Sequence, residues 1–201
     1  MIIFLVITGL TLLLDWYVYN GLRTLTKGWS SLRWKQVLLW GYLVLSIGVT
    51  VLFLIGLGSF STARGMTPYH EWILSFFLTF FITKVIFSLV LLIGDTGRLL
   101  YGVGDNIVNH GKKENIPYFP SRRKFISEIA VLVAAVPFIS LLYGMFKGKY
   151  DYKLHRETLY FDDLPEAFDG FTVTQISDIH SGSFDNSAAV QRGIDIAKAQ
   201  K

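Results

Sequence analysis

Four long apolar runs dominate the first three quarters of the chain. The first extends from Ile2 to about Tyr19 and is interrupted late by Asp15. The second, Val37 to Leu57, contains no charged residue, and the third, Trp72 to Ile93, contains one, Lys84. The fourth, Ile129 to Phe146, carries Pro137 near its middle. Each approaches the roughly 20 residues that a helix needs to cross a hydrocarbon core. Proline is tolerated in such a helix where neighbours satisfy the carbonyl it frees. Trp16, Tyr17, Tyr19, Trp34, Tyr69 and Trp72 lie near the ends of the runs, where an aromatic belt would place them. The pattern predicts a region of four transmembrane helices over residues 1–146.

Composition supports this reading. The chain is 52% hydrophobic and only 17% charged, against the quarter or so that is usual in soluble domains. No cysteine is present, which excludes disulfides and zinc–thiolate sites. Residues 1–146 hold 12 Lys/Arg against 6 Asp/Glu, and residues 147–201 hold 7 against 9. The basic excess therefore belongs to the membrane loops, and it is not read as a nucleic-acid surface. The first run has no basic residues before it, unlike a cleaved signal peptide, and is expected to remain as an anchor.

Lys and Arg in short loops set orientation. Arg23, Lys27, Arg33 and Lys35 follow the first run, and Arg64 alone follows the second. Arg98, Lys112, Lys113, Arg122, Arg123 and Lys124 lie between the third and fourth. Loops one and three are expected to face the cytoplasm, with the N-terminus, the second loop and everything after Phe146 outside. "SRRKFI", residues 121–126, adds Arg122 and Arg123 just before the fourth run. It resembles the S-R-R-x-F-L pattern of twin-arginine export signals, with Ile126 in place of Leu, and reads equally as a basic anchor at the cytoplasmic face.

Asp15 and Lys84 fall inside apolar runs. A charge at mid-membrane costs about 2.5–3.5 kcal/mol on an insertion scale and usually faces the bundle interior or a partner. With the N-terminus outside, both residues lie roughly 18–20 Å below the outer ends of parallel segments, at 1.5 Å per residue. An ion pair is expected; an ion or proton path is the functional alternative.

After "FKGKYD" (146–151) the pattern changes. A linker over 147–153 leads to "LHRETLYF" (154–161), which reads as a short strand, and then to the turn-rich "DDLPEAFDG" (162–170). "FTVTQIS" (171–177) reads as a buried strand with Val173 and Ile176 at its heart. "SAAVQRGIDIAKAQK" then places Val190, Ile194 and Ala197 on one face of a helix. Strand, loop and helix together open an α/β sheet, in which ligands gather beyond the carboxyl ends of the strands. There stand Asp178 and His180. Residues i and i+2 of an extended chain point to the same side, so a carboxylate and an imidazole can converge on one cation. Mixed oxygen and nitrogen ligation suits manganese, iron or zinc, and Gly182 lets the backbone turn away.

"LPEAFDGFTVTQISDIHSG" (164–182) resembles the opening of calcineurin-like metallophosphoesterases, particularly their membrane-anchored bacterial branch. The resemblance implies that Asp178 and His180 bind the first of two divalent metals. It also implies hydrolysis of a phosphoester or pyrophosphate, which some members of the branch carry out on a lipid head group. The family's later motifs, G-D-x-x-D, G-N-H-[DE], a further His and G-H-x-H, do not follow here. "GDTGR" (94–98) and "GDNIV" (104–108) precede D-x-H and lack the second Asp, and His70, His110 and His155 suit loop or surface roles. Residues 154–201 are therefore expected to be the N-terminal part of such a domain at a bacterial inner membrane, and the 201-residue chain alone is expected to be inactive. The competing expectation is a non-catalytic membrane protein whose short outer domain binds a partner.

The orientation has a direct test. A reporter that works only outside the cytoplasm should be active when fused after Lys149 or at Gly65 and silent at Gly28 or Gly111. The reverse pattern would overturn the assignment.

Overall fold

The computed structural model describes residues 2–60, 67–108, 120–179, 184 and 186–200. Four long helices occupy the apolar part: α1 (Ile2–Leu25), α2 (Leu32–Phe60), α3 (Pro68–Val108) and α4 (Pro120–Phe146). All four are long and apolar enough to cross a membrane. Each overruns its apolar run. α3 does so most, continuing about fifteen residues past Ile93 through "GDTGR" and "GDNIV", or some 22 Å of helix. These stretches of small, polar and apolar residues contain no proline to stop the helix. The turn from α1 to α2 closes around Gly28, whose φ of +89° is a left-handed conformation that glycine adopts without strain.

The chain divides into two compact units, Met1–Leu142 and Tyr143–Lys201. In the first, α1, α2 and α3 pack against one another, and α4 lies against α1 and α3. Lipid-facing helices gain nothing from a hydrophobic drive toward each other, so close packing at small residues must hold them. The contacts follow that rule. Gly56 of α2 meets Ile73 of α3, and the rings of Phe53 and Phe77 stack with centroids 3.7 Å apart. Gly21 of α1 lets Phe87 and Leu91 of α3 approach its backbone. Ala130 and Ala134 of α4 are buried with Val18, Phe87 and Leu91 in one cluster. Gly94 faces Ile126, and Phe80 meets Phe138 edge to face, which sets α3 and α4 antiparallel. The outward faces carry exposed apolar side chains such as Val44, Ile93 and Val136, the surface a lipid environment covers.

The second unit differs from expectation. Among the described residues neither 154–161 nor 171–177 forms a strand. Val173 and Ile176, expected at the heart of a buried strand, are 78% and 59% exposed. A strand exists only through the hydrogen-bond ladder it shares with a neighbour, and no described segment pairs with either stretch. The expected helix does form, as α5 (Ser187–Lys198), with Asn186 as its cap: the Asn186 side chain accepts from the Ala189 N–H. Its packed face is close to the expected one, with Val190 and Ala197 half-buried. Ala189 is buried and Gly193 lies under the ring of Tyr152, whereas Ile194 is exposed. Small residues win because an aromatic ring from the preceding segment, rather than a sheet, covers the helix. The Asn186 N–H also donates to the Tyr150 hydroxyl at 3.0 Å, and Arg156 donates to Gln200 Oε1 at 2.9 Å. The segment leaving α4 is thus fastened to both ends of α5.

The glycine contacts yield a test. A Cβ on Gly94 would stand 2.6 Å from Ile126 Cδ1 and 2.9 Å from its Cγ2, and the branched Ile cannot move both away. Gly94→Ala should destabilise the purified protein by about 1–3 kcal/mol, the usual cost of overpacking. Adding Ile126→Ala should recover much of that in a thermal unfolding assay. No recovery would mean that α3 and α4 do not meet there.

Candidate functional site

Two groups of residues carry chemistry. The first lies inside the membrane bundle and begins with Asp15. Each of three helices places polar residues four apart in an otherwise apolar span: Thr11 and Asp15 on α1, Tyr42 and Ser46 on α2, Lys84 and Ser88 on α3. That spacing keeps each pair on one helix face, and the three faces meet. Lys84 Nζ is 2.9 Å from Asp15 Oδ1. Onto the same oxygen the Tyr42 hydroxyl donates at 2.7 Å and the Ser46 hydroxyl at 2.6 Å. Asp15 and Lys84 are each only 4% exposed. One carboxylate oxygen therefore accepts from an ammonium and two hydroxyls, and ties α1 to α2 and α3 at once. Nearer the other end of α1, the Tyr17 hydroxyl donates to Asp95 Oδ2 at 3.0 Å, a second polar link to α3.

Tyr42 and Ser46 were not picked out by reading for charges. Their signal was present: a Tyr–Ser–Thr series at 42, 46 and 50, on one face of an otherwise apolar span. Polar residues repeated at helical spacing in a membrane segment mark the buried side.

The second group is Asp178 and His180. Asp178 follows the stretch 171–177 and adopts φ +56°. Left-handed backbone costs most L-residues about 1–2 kcal/mol, and Asp is among the few that visit it. Such a residue bends the chain at once. Its side chain is exposed. His180 and Gly182 lie outside the described residues. Among the described residues no three His, Asp or Glu side chains converge on a common point. One oxygen donor at a sharp turn, two residues before an imidazole, fits part of a mixed-donor site for a divalent ion, and the described chain brings no third ligand to it.

The remaining candidates sort simply. Arg122 and Arg123 lie in the first turn of α4, with Arg122 exposed and Arg123 half-buried. His70 has both ring nitrogens in hydrogen bonds, Nδ1 with Thr67 Oγ1 at 2.7 Å and Nε2 with Ser59 Oγ at 3.0 Å. It fastens the start of α3 to the end of α2. His155 is exposed, and His110 lies outside the described residues.

The architecture up to this point is that of a multi-pass membrane protein with a small unit attached to its last helix. A family model described as "Probable Calcineurin-like phosphoesterase, transmembrane domain" matches residues 1–149, and the chain belongs to that family. No curated protein matches the chain, and no solved structure does.

The bundle cluster is open to direct test. Asp15→Ala or Lys84→Ala alone should cost about 3–5 kcal/mol, because the partner is left buried without its counter-charge. Replacing both by Ala should recover much of the loss, since apolar replacement of a buried pair is often near neutral. Yield of folded protein in membranes and thermal unfolding in detergent would both report it. Equal and additive losses would show that the two charges act separately.

Proposed function

We propose that this protein is the membrane-anchored form of a metal-dependent phosphoesterase, and that it hydrolyses a phosphoester or pyrophosphate outside the cytoplasm of a bacterium. The observation that carries the reading is the family match over the helices, joined to an Asp-x-His whose Asp bends the chain in a left-handed turn. Asp178 would supply an oxygen and His180 a nitrogen to a manganese, iron or zinc ion, one of two expected in the active protein. Such a pair of ions activates a water and steadies the phosphoryl oxygens during in-line displacement.

Asp178 contributes more than a charge in this reading. Its φ bends the backbone at the residue that would hold the ion. Four helices that fix the unit to a membrane favour a substrate that is itself membrane-bound, such as a lipid with a phosphoester or pyrophosphate head group. The lipid bilayer is then the first partner, and nucleic acid has no place in the reading.

A second reading rests on a specific observation. Leu159, Tyr160, Phe161, Phe171, Val173 and Ile176 are all more than half exposed, and soluble surfaces rarely leave so many apolar groups together. A non-catalytic module that binds a partner protein would present such a surface.

One experiment separates the two. The full-length enzyme of this reading, purified in detergent with manganese, should hydrolyse a generic aryl phosphate ester, which residues 1–201 alone should not. Asp178→Ala and His180→Ala should each reduce the rate by at least about 100-fold, the upper end of what loss of even an outer-shell partner costs a metal site. Absence of metal-dependent hydrolysis in the unaltered protein would favour the partner-binding reading. Hydrolysis indifferent to both substitutions would remove Asp178 and His180 from the site.

A further inference from the structure

The bundle interior contains two buried polar atoms that no described residue satisfies, Asp15 Oδ2 and Ser88 Oγ. Both residues are more than nine-tenths buried, at 4% and 7% exposure. The serine is informative because its neighbours behave differently. Thr11, Thr24, Thr50, Thr79, Thr83 and Ser127 each donate to the carbonyl one turn earlier in their own helix. A helical serine can always rotate to do the same. Ser88 does not, so its hydroxyl is turned away from the carbonyl of Lys84.

Helix register brings the two atoms to neighbouring levels. Gly56 against Ile73 and Phe53 against Phe77 fix how α2 and α3 run past each other. Carried along two antiparallel helices, that register sets Ser46 beside Lys84 and Tyr42 beside Ser88. Tyr42 and Ser46 both donate to Asp15. Ser88 therefore lies one helical turn, about 6 Å, from the residue that pairs with Asp15. A carboxylate oxygen without a donor is costly at this depth, where lipid offers none.

We propose that the membrane bundle binds a water molecule at this level, donating to Asp15 Oδ2 and hydrogen-bonded to Ser88 Oγ. A buried water needs two to four polar partners. The Tyr42 oxygen, whose proton goes to Asp15, keeps lone pairs for a third. Water fits better than a cation, because the Lys84 ammonium already balances the Asp15 charge at 2.9 Å. It fits better than an apolar guest, because only a donor relieves Oδ2. The water completes the carboxylate's hydrogen bonds and makes Ser88 a part of the same network.

Two measurements on the whole protein test this. In thermal unfolding, Ser88→Ala should lower the midpoint by about 2–4 °C, the shift that one hydrogen bond gives in a protein of this size. The same substitution in an Asp15→Ala/Lys84→Ala background should change nothing. A map of the protein in lipid nanodiscs, at a resolution that shows ordered waters, should show a peak within hydrogen-bonding reach of both atoms. Equal losses in the two backgrounds would overturn the proposal, as would no loss in the unaltered background. So would a map that shows other internal waters and none here. A peak that strengthens when the sample is exchanged into a rubidium salt would make the ligand a cation and overturn the water.

Discussion

A carboxylate carried into the hydrocarbon layer must find its counter-charge and hydrogen bonds within the protein, and Asp15 finds them on two other helices. Lys84 comes from α3; Tyr42 and Ser46 come from α2. No smaller set of helices can satisfy that oxygen. The stability of such a cluster is of a particular kind. A buried pair adds little net energy over apolar side chains of the same size, but breaking it is expensive. Its consequence is therefore specificity: an arrangement of the three helices that separates Asp15 from Lys84 leaves a bare charge in lipid. The fold is held less by attraction between helices than by the cost of every alternative.

The apolar packing fits around that constraint. Gly56, Gly21 and Gly94 lie where side chains from a neighbouring helix come within contact of the backbone. Phe53 on Phe77 fixes the height of α2 against α3. These contacts bring Ser46 level with Lys84, so the packing and the polar cluster call for one register. Agreement between independent contacts is what defines one structure among the many that four apolar helices could form. Within the second unit, the segment that follows α4 is fastened to α5 through Tyr150, Tyr152 and Arg156.

Reading the sequence reached unevenly into this structure. Four apolar runs were visible because length and hydropathy are local properties, and helices occupy all four. Asp15 and Lys84 stood out as charges in apolar surroundings, and helical rise placed them at one depth. Their hydroxyl partners were less visible, because Tyr and Ser are ordinary in membrane helices and only the four-residue spacing marks them. Helix ends were misjudged where α3 continues through "GDTGR", since hydropathy falls there while helical geometry is still permitted. Strands at 154–161 and 171–177 were expected from β-branched and aromatic content. That content expresses a fit to a sheet, and a sheet is a property of several segments rather than of one. On α5 the periodicity marks Val190 and Ala197, which are half-buried, whereas the exposure of Ile194 depends on what covers the helix. The Asp-x-His was conspicuous as a motif, whereas the left-handed turn at Asp178 is visible only in the backbone.

The bundle depends on Asp15 and Lys84 being in contact inside the bilayer. Solid-state NMR on the protein in lipid, with ¹³C in Asp and ¹⁵N in the Lys side chain, measures this directly. Nζ at 2.9 Å from Oδ1 requires strong dipolar transfer between the Asp15 carboxyl carbon and Lys84 Nζ. That transfer should vanish in Lys84→Met, which tells this pair from exposed ones such as Asp151 with Lys153. A spectrum in which Lys84→Met removes no carboxylate–ammonium transfer would contradict the account.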